Sequence, residues 1–150
     1  MNDETENGEI FNLFPIPLVK TNIGRDFTKD ELQLFLKDIP MMKDKGRRMQ
    51  NHGSVNLTLF DTFAEELTDI RNFCEYQFKQ YIEHIDGANP DIAGLRITQS
   101  WLSITKPGEY HNPHHHPNSC LSGVLYISCL PNDHIVLSNR SYGLFDNIEF

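Results

Sequence analysis

Glu109-Tyr-His-Asn-Pro-His-His-His-Pro-Asn-Ser-Cys-Leu-Ser-Gly-Val-Leu-Tyr-Ile127 places four of the chain's seven histidines, His111, His114, His115 and His116, within six positions. Pro113 and Pro117 bracket the last three. A proline disfavours the α region for the residue before it, so Pro117 holds His116 extended and Pro113 does the same to Asn112. Extended backbone alternates its side chains. His114 and His116 therefore share a face, about 7 Å apart at Cα, and His115 faces the other way. Two imidazoles so placed can converge on one metal ion through bonds of roughly 2.0–2.2 Å. On a helix, residues two apart point to different faces. The same cluster also reads as an exposed polar loop with no ligand, and two donors alone do not make a site.

Outward from this stretch, the chain reads as one soluble domain. Its 150 residues are enough for a real core. The net charge of -8 argues against a general nucleic-acid binder. The dense basic group Lys43, Lys45, Arg47 and Arg48 reads as solvated surface. Cys74, Cys120 and Cys129 are odd in number and widely spaced, which fits a reducing cytoplasm without disulfides. Residues 1–9 form an acidic tail with no signal-peptide pattern, and no apolar run reaches membrane-span length.

Helices come first. Phe14-Pro-Ile-Pro-Leu-Val19 is an edge strand or extended lead-in. Thr28-Lys-Asp-Glu31 is a capping box, with Phe27 and Leu32 as its hydrophobic staple. The spacing predicts Leu32, Phe35, Leu36 and Ile39 on one helix face, ended by Pro40. A polar loop over 41–53 leads to a strand over 54–60 with Val55, Leu57 and Leu59 on one side. Thr62-Phe-Ala-Glu65 is a second capping box opening the longest helix. Its buried stripe is Phe63, Leu67, Ile70, Cys74, Phe78, Tyr81 and Ile85, with Gly87 at the C′ position.

From Leu95 onward the chain becomes β-like. Residues 95–105 favour a strand. Lys106-Pro-Gly-Glu109 is a type II turn. Residues 121–130 are apolar on both sides, as in a central strand, and Gly123 marks a bulge or a close backbone approach. Pro131-Asn-Asp133 turns the chain into a short strand over 134–138. Helices before strands indicate an α+β domain with helices packed on an antiparallel sheet or barrel.

Trp101-Leu-Ser-Ile-Thr-Lys-Pro-Gly-Glu-Tyr110, followed by His114-His-His-Pro-Asn-Ser-Cys-Leu-Ser-Gly-Val-Leu-Tyr126, resembles the 2-oxoglutarate and Fe(II)-dependent oxygenases of phages and marine bacteria. Leu13-Phe-Pro-Ile-Pro17 followed by two helices is similar as well, so the resemblance covers nearly the whole chain. It implies a double-stranded β-helix (a jelly roll, cupin-like) with N-terminal helices on its sheet. The single domain over 1–150 would then comprise the tail, a helical scaffold over 10–94 and the first half of a jelly roll over 95–150. It implies a dioxygenase that hydroxylates a substrate the sequence does not identify, with Fe(II) and 2-oxoglutarate as cofactors. His114 matches the first ligand of the family's His-x-Asp pair, and His116 takes the position of the carboxylate. On this resemblance Ser103, Ser122 and Tyr126 would hydrogen-bond the 2-oxoglutarate carboxylates, and Asn118 would orient a histidine. The expected location is the cytoplasm, that of the host if a phage encodes the chain.

Two departures accompany the resemblance. An imidazole at His116 leaves the site one charge more positive, which permits Fe(II) and also suits zinc or another metal. The family's later histidine ligand and 2-oxoglutarate-binding arginine find no match after His116, where His134 and Arg140 are the only residues of those types. The second half of the jelly roll is expected to lie beyond Phe150 or to be supplied by a second copy or a partner chain, since half a barrel exposes unpaired strand edges. A rival reading is a non-catalytic structural or interaction protein, phage-associated, that keeps the fold. Another is a cupin-like metal enzyme using His114, His116 and His134.

Overall fold

The computed structural model of the protein describes residues 16–43, 52–86, 94–137 and 148–149. Phe14, Gly87, Arg140 and most of the basic loop lie outside them.

The first helix begins as its sequence requires. Thr28 caps α1 (Lys29–Gln33): its hydroxyl accepts from the Glu31 amide, and the Glu31 carboxylate accepts from the Thr28 amide. Arg25 adds two guanidinium bonds to the same carboxylate, at 2.9 and 2.6 Å. Beyond Gln33 the chain widens into a π-helical turn, Leu34–Asp38, closed by the Ile39 amide on the Leu34 carbonyl. This turn corrects the expected face. Leu34 and Phe35 continue the buried side that Glu31 begins, the wider turn puts Ile39 next on it, and Leu36 is left 71% exposed. Leu32 is exposed too, and Phe27 packs edge-on against Phe35 in its place.

The next segment also differs from expectation. Met41–Lys43 is a strand, β1, antiparallel to β2 (His52–Ser54). The predicted strand over 54–60 does not form: Val55 and Leu57 are exposed, and Leu59 is buried by a short helix, α2 (Leu59–Thr62). Thr62 does not cap the long helix. Its hydroxyl donates to the Thr58 carbonyl and is engaged by the Asn56 amide. The long helix, α3 (Thr68–Tyr81), starts six residues later and runs into a π turn, Ile82–Asp86. Leu67, just before it, and Ile70, within it, are the most deeply buried side chains, each 2% exposed. Cys74, Phe78 and Tyr81 are half-buried; the π turn brings Ile82 inside and leaves Ile85 out.

The β-like half is laid along this layer. The Leu59 amide donates to the Ser100 carbonyl and the Ser100 amide to the Leu57 carbonyl, at 3.0 and 2.9 Å. β3 (Ser103–Ile104) then pairs antiparallel with β2, giving the sheet order β1-β2-β3. β4 (Val136–Leu137) pairs with β5 (Ile148–Glu149) in a separate ladder. The arrangement is α+β. Among the described residues it is not a complete double-stranded β-helix.

Residues 121–130 are the clearest correction. They belong to no helix and no ladder. Leu125 and Ile127 pack on the core formed by Leu34, Phe35, Ile39, Leu59, Leu67 and Ile70. The alternate residues Val124, Tyr126 and Leu130 are exposed, so this is a one-sided cover and not a strand buried on both faces. Gly123 is a close approach: a Cβ there would lie 3.1 Å from the Phe78 ring.

Candidate histidine site

Two anchors fix the histidine stretch. Upstream, the Lys106–Glu109 turn closes with the Glu109 amide on the Lys106 carbonyl at 2.9 Å, and Gly108 supplies the left-handed φ of 80° that a type II turn needs. The Glu109 carboxylate accepts from the Lys106 amide at 3.0 Å and lies 3.6 Å from Lys43 and 3.4 Å from His52. That amide bond, then His52 and Lys43, hold its pKa below the usual carboxylate range. The turn is thereby tied to β1 and β2. Downstream, Pro117 and Asn118 turn the chain, with Asn118 at a φ of 66°.

Between the anchors the chain forms no helix, and the rings of His114 and His116 come together. Their Nε2 atoms are 3.0 Å apart. His114 Nδ1 is 2.9 Å from the Asn112 carbonyl oxygen, which can only accept, so Nδ1 carries the proton and Nε2 the lone pair. His116 Nδ1 is 2.9 Å from Ser122 Oγ. The Trp101 ring stands edge-on to His116 at 5.2 Å and also lines a small apolar cavity with Phe35, Leu59 and Ile70. His111 stacks on His114 at 4.2 Å. His115 is exposed. Burial first, then the neighbouring His114 and His115, push the His116 pKa below its ordinary value, so this ring stays neutral to lower pH.

Two imidazoles whose Nε2 atoms meet can act as a bidentate donor set once neither Nε2 carries a proton. With metal–nitrogen bonds of about 2.0–2.2 Å, a 3.0 Å separation subtends roughly 86–97° at a shared ion. That is close to the right angle between neighbouring octahedral ligands and short of the ~109° of a tetrahedral site. Among the described residues no set of three His, Cys, Asp or Glu side chains is placed to hold a metal. The set of His114, His116 and His134 is therefore not assembled; His134 Nδ1 sits 3.2 Å from the Asn132 carbonyl instead.

The other candidates are distributed unevenly. Ser122 is at the pair, engaged by His116. Ser103 lies on β3 opposite Gly53 with its side chain exposed. Tyr126 is on the exposed side of the 121–130 segment, its pKa raised by partial burial and then by Cys129. It is Ser122, not Asn118, that supports a histidine. The spacing of the pair does not point to Ser122, which the turn at Pro117 brings back to His116. The Asn112 carbonyl, being backbone, carries no side-chain signal at all.

No helix among the described residues is long and apolar enough to cross a membrane. No curated protein and no solved structure matches the chain. Residues 99–142, which include Trp101, both histidines of the pair, Ser122 and Tyr126, match the model of a family described as "Putative 2OG-Fe(II) oxygenase".

Proposed function

We propose that this chain is a non-haem Fe(II), 2-oxoglutarate-dependent dioxygenase, and that His114 and His116 are two of its iron ligands. The observation that carries the reading is the 3.0 Å approach of two Nε2 atoms, one of them fixed as a lone-pair donor by the Asn112 carbonyl. The match of residues 99–142 supports the same chemistry. When bound, the iron supplies a centre that orients 2-oxoglutarate and activates dioxygen. The chain's own residues do the rest. Asn112 and Ser122 hold the two rings from behind, and Trp101 stands against one side of His116. Ser103 and Tyr126 are the proposed partners of the 2-oxoglutarate carboxylates. The location of the reaction is the cytoplasm, and the third ligand lies outside the described pair.

Anaerobic titration with Fe(II) and 2-oxoglutarate, followed by exposure to oxygen, tests this. A charge-transfer absorption band that needs both additions, and then succinate, is the expected result. A protein that gives neither is not such an oxygenase.

One observation favours a second reading, a structural or interaction protein with the same scaffold. Val124 and Leu130 are 64% and 63% exposed along an unladdered apolar segment, a face that a second copy or a partner chain would cover. A stable oligomer without metal-dependent turnover would support it, and a monomer that turns over would end it.

A further inference from the structure

The hydrogen bonds of the pair form a chain whose direction is fixed at one end and free at the other. At the fixed end, the Asn112 carbonyl can only accept, so His114 donates from Nδ1 and offers a bare Nε2. Without a cation, the 3.0 Å contact needs one proton between the two Nε2 atoms. That proton belongs to His116. Neutral His116 then has a bare Nδ1, which must accept from the Ser122 hydroxyl 2.9 Å away. With a cation between the rings, both Nε2 atoms must be bare. His116 then carries its proton on Nδ1, and Ser122 must accept.

Only a group that both donates and accepts can serve both states. A hydroxyl does; a carbonyl, carboxylate or ammonium does not. We infer that Ser122 is a positioning residue that lets the His114–His116 pair exchange a shared proton for a divalent cation, by reversing its hydrogen bond as His116 changes tautomer. The exchange is balanced within the ring: the proton leaves Nε2 and one returns to Nδ1, with no net proton release and no change of oxidation state. The inference rests on the proposed metal role of the pair. It also gives Ser122 a duty different from contacting 2-oxoglutarate.

Nitrogen-15 spectra of the histidine rings, recorded at about pH 8, above the ordinary histidine value of about 6.5, read the tautomers directly. Zn(II), which is diamagnetic, serves as the probe. Without metal, His116 is expected as the Nε2–H tautomer and His114 as Nδ1–H. With Zn(II), His114 should keep its proton on Nδ1 while His116 moves to Nδ1–H. Ser122→Ala should weaken Zn(II) binding by about 10–100-fold, as loss of a ligand's supporting partner does, and Ser122→Thr should restore it. His116 already Nδ1–H without metal, or unmoved by Zn(II), overturns the inference. So does Ser122→Ala binding as tightly as the native chain while both rings still coordinate; in that case the metal role survives and only the duty of Ser122 falls. If Zn(II) leaves the Nε2 resonances of both rings unshifted, so that neither coordinates, the metal role falls together with this inference.

Discussion

The helical layer over 16–43 and 52–86 and the segment over 94–137 are held in different ways. Every buried apolar residue of the described chain, from Leu34 to Ile82, lies in the first. The second contributes half-buried side chains, chiefly Trp101, Leu102, Leu125 and Ile127, laid over that core. The first owes its order to packing. The histidine stretch owes its order to prolines, turns and a few polar bonds. A site assembled this way is set by local backbone chemistry, and the core beneath acts mainly as a floor. Stability and ligand binding should therefore respond to different residues.

The strongest way to break that contrast is from below. Leu67→Ala empties a site 2% exposed and should cost about 2–5 kcal/mol. Denaturant titration would register the loss, while the affinity of the remaining folded protein for Zn(II) should be unchanged. A parallel collapse of affinity in the folded state would mean the two regions are one unit.

Gly123 is where they touch most closely. A valine there meets the Phe78 ring, 3.1 Å from the position of its Cβ, and should cost about 1–3 kcal/mol by overpacking. Phe78→Leu in the same chain should recover part of it. No recovery would place the strain elsewhere.

Acid should separate the regions by pH. The Glu31 carboxyl is held below its ordinary value of 4.5, first by Arg25 and then by Thr28. The unfolded chain binds that proton at higher pH than the folded chain. The contribution of Glu31 is therefore complete above about 4.5 and is lost as pH falls through the folded value. His116 is held below 6.5, so its penalty begins earlier, as pH falls below about 6.5. Stability followed from pH 8 downward should show a small loss assigned to His116 and then a second assigned to Glu31. Glu31→Gln should remove only the second.

What could be read from the sequence follows the same division. The Thr28 capping box, the turn at Gly108, the close approach at Gly123 and the shared face of His114 and His116 all depend on neighbours a few residues away, and each is present. The misreadings arise where a side chain or a turn had two uses. Thr62 fits an N-cap by pattern, yet Asn56 and the Thr58 carbonyl capture its hydroxyl. Leu36 fits a helical face, yet the buried side runs through Leu34, Phe35 and Ile39. Residues 121–130 have the composition of a central strand, but composition does not say whether neighbouring strands are present to pair with it. At the site, the supporting partners of the histidines are a backbone carbonyl and a serine brought back by the turn at Pro117, and neither follows from the spacing that finds the pair.

The central claim is that His114 and His116 hold one cation jointly. Trp101 is the chain's single tryptophan and stands 5.2 Å from the His116 ring, so an open-shell ion bound at the pair should quench its fluorescence. Ni(II) should give saturable 1:1 quenching, abolished by His114→Ala and by His116→Ala and unchanged by His115→Ala. Quenching that survives either of the first two substitutions, or that His115→Ala removes as well, would contradict it.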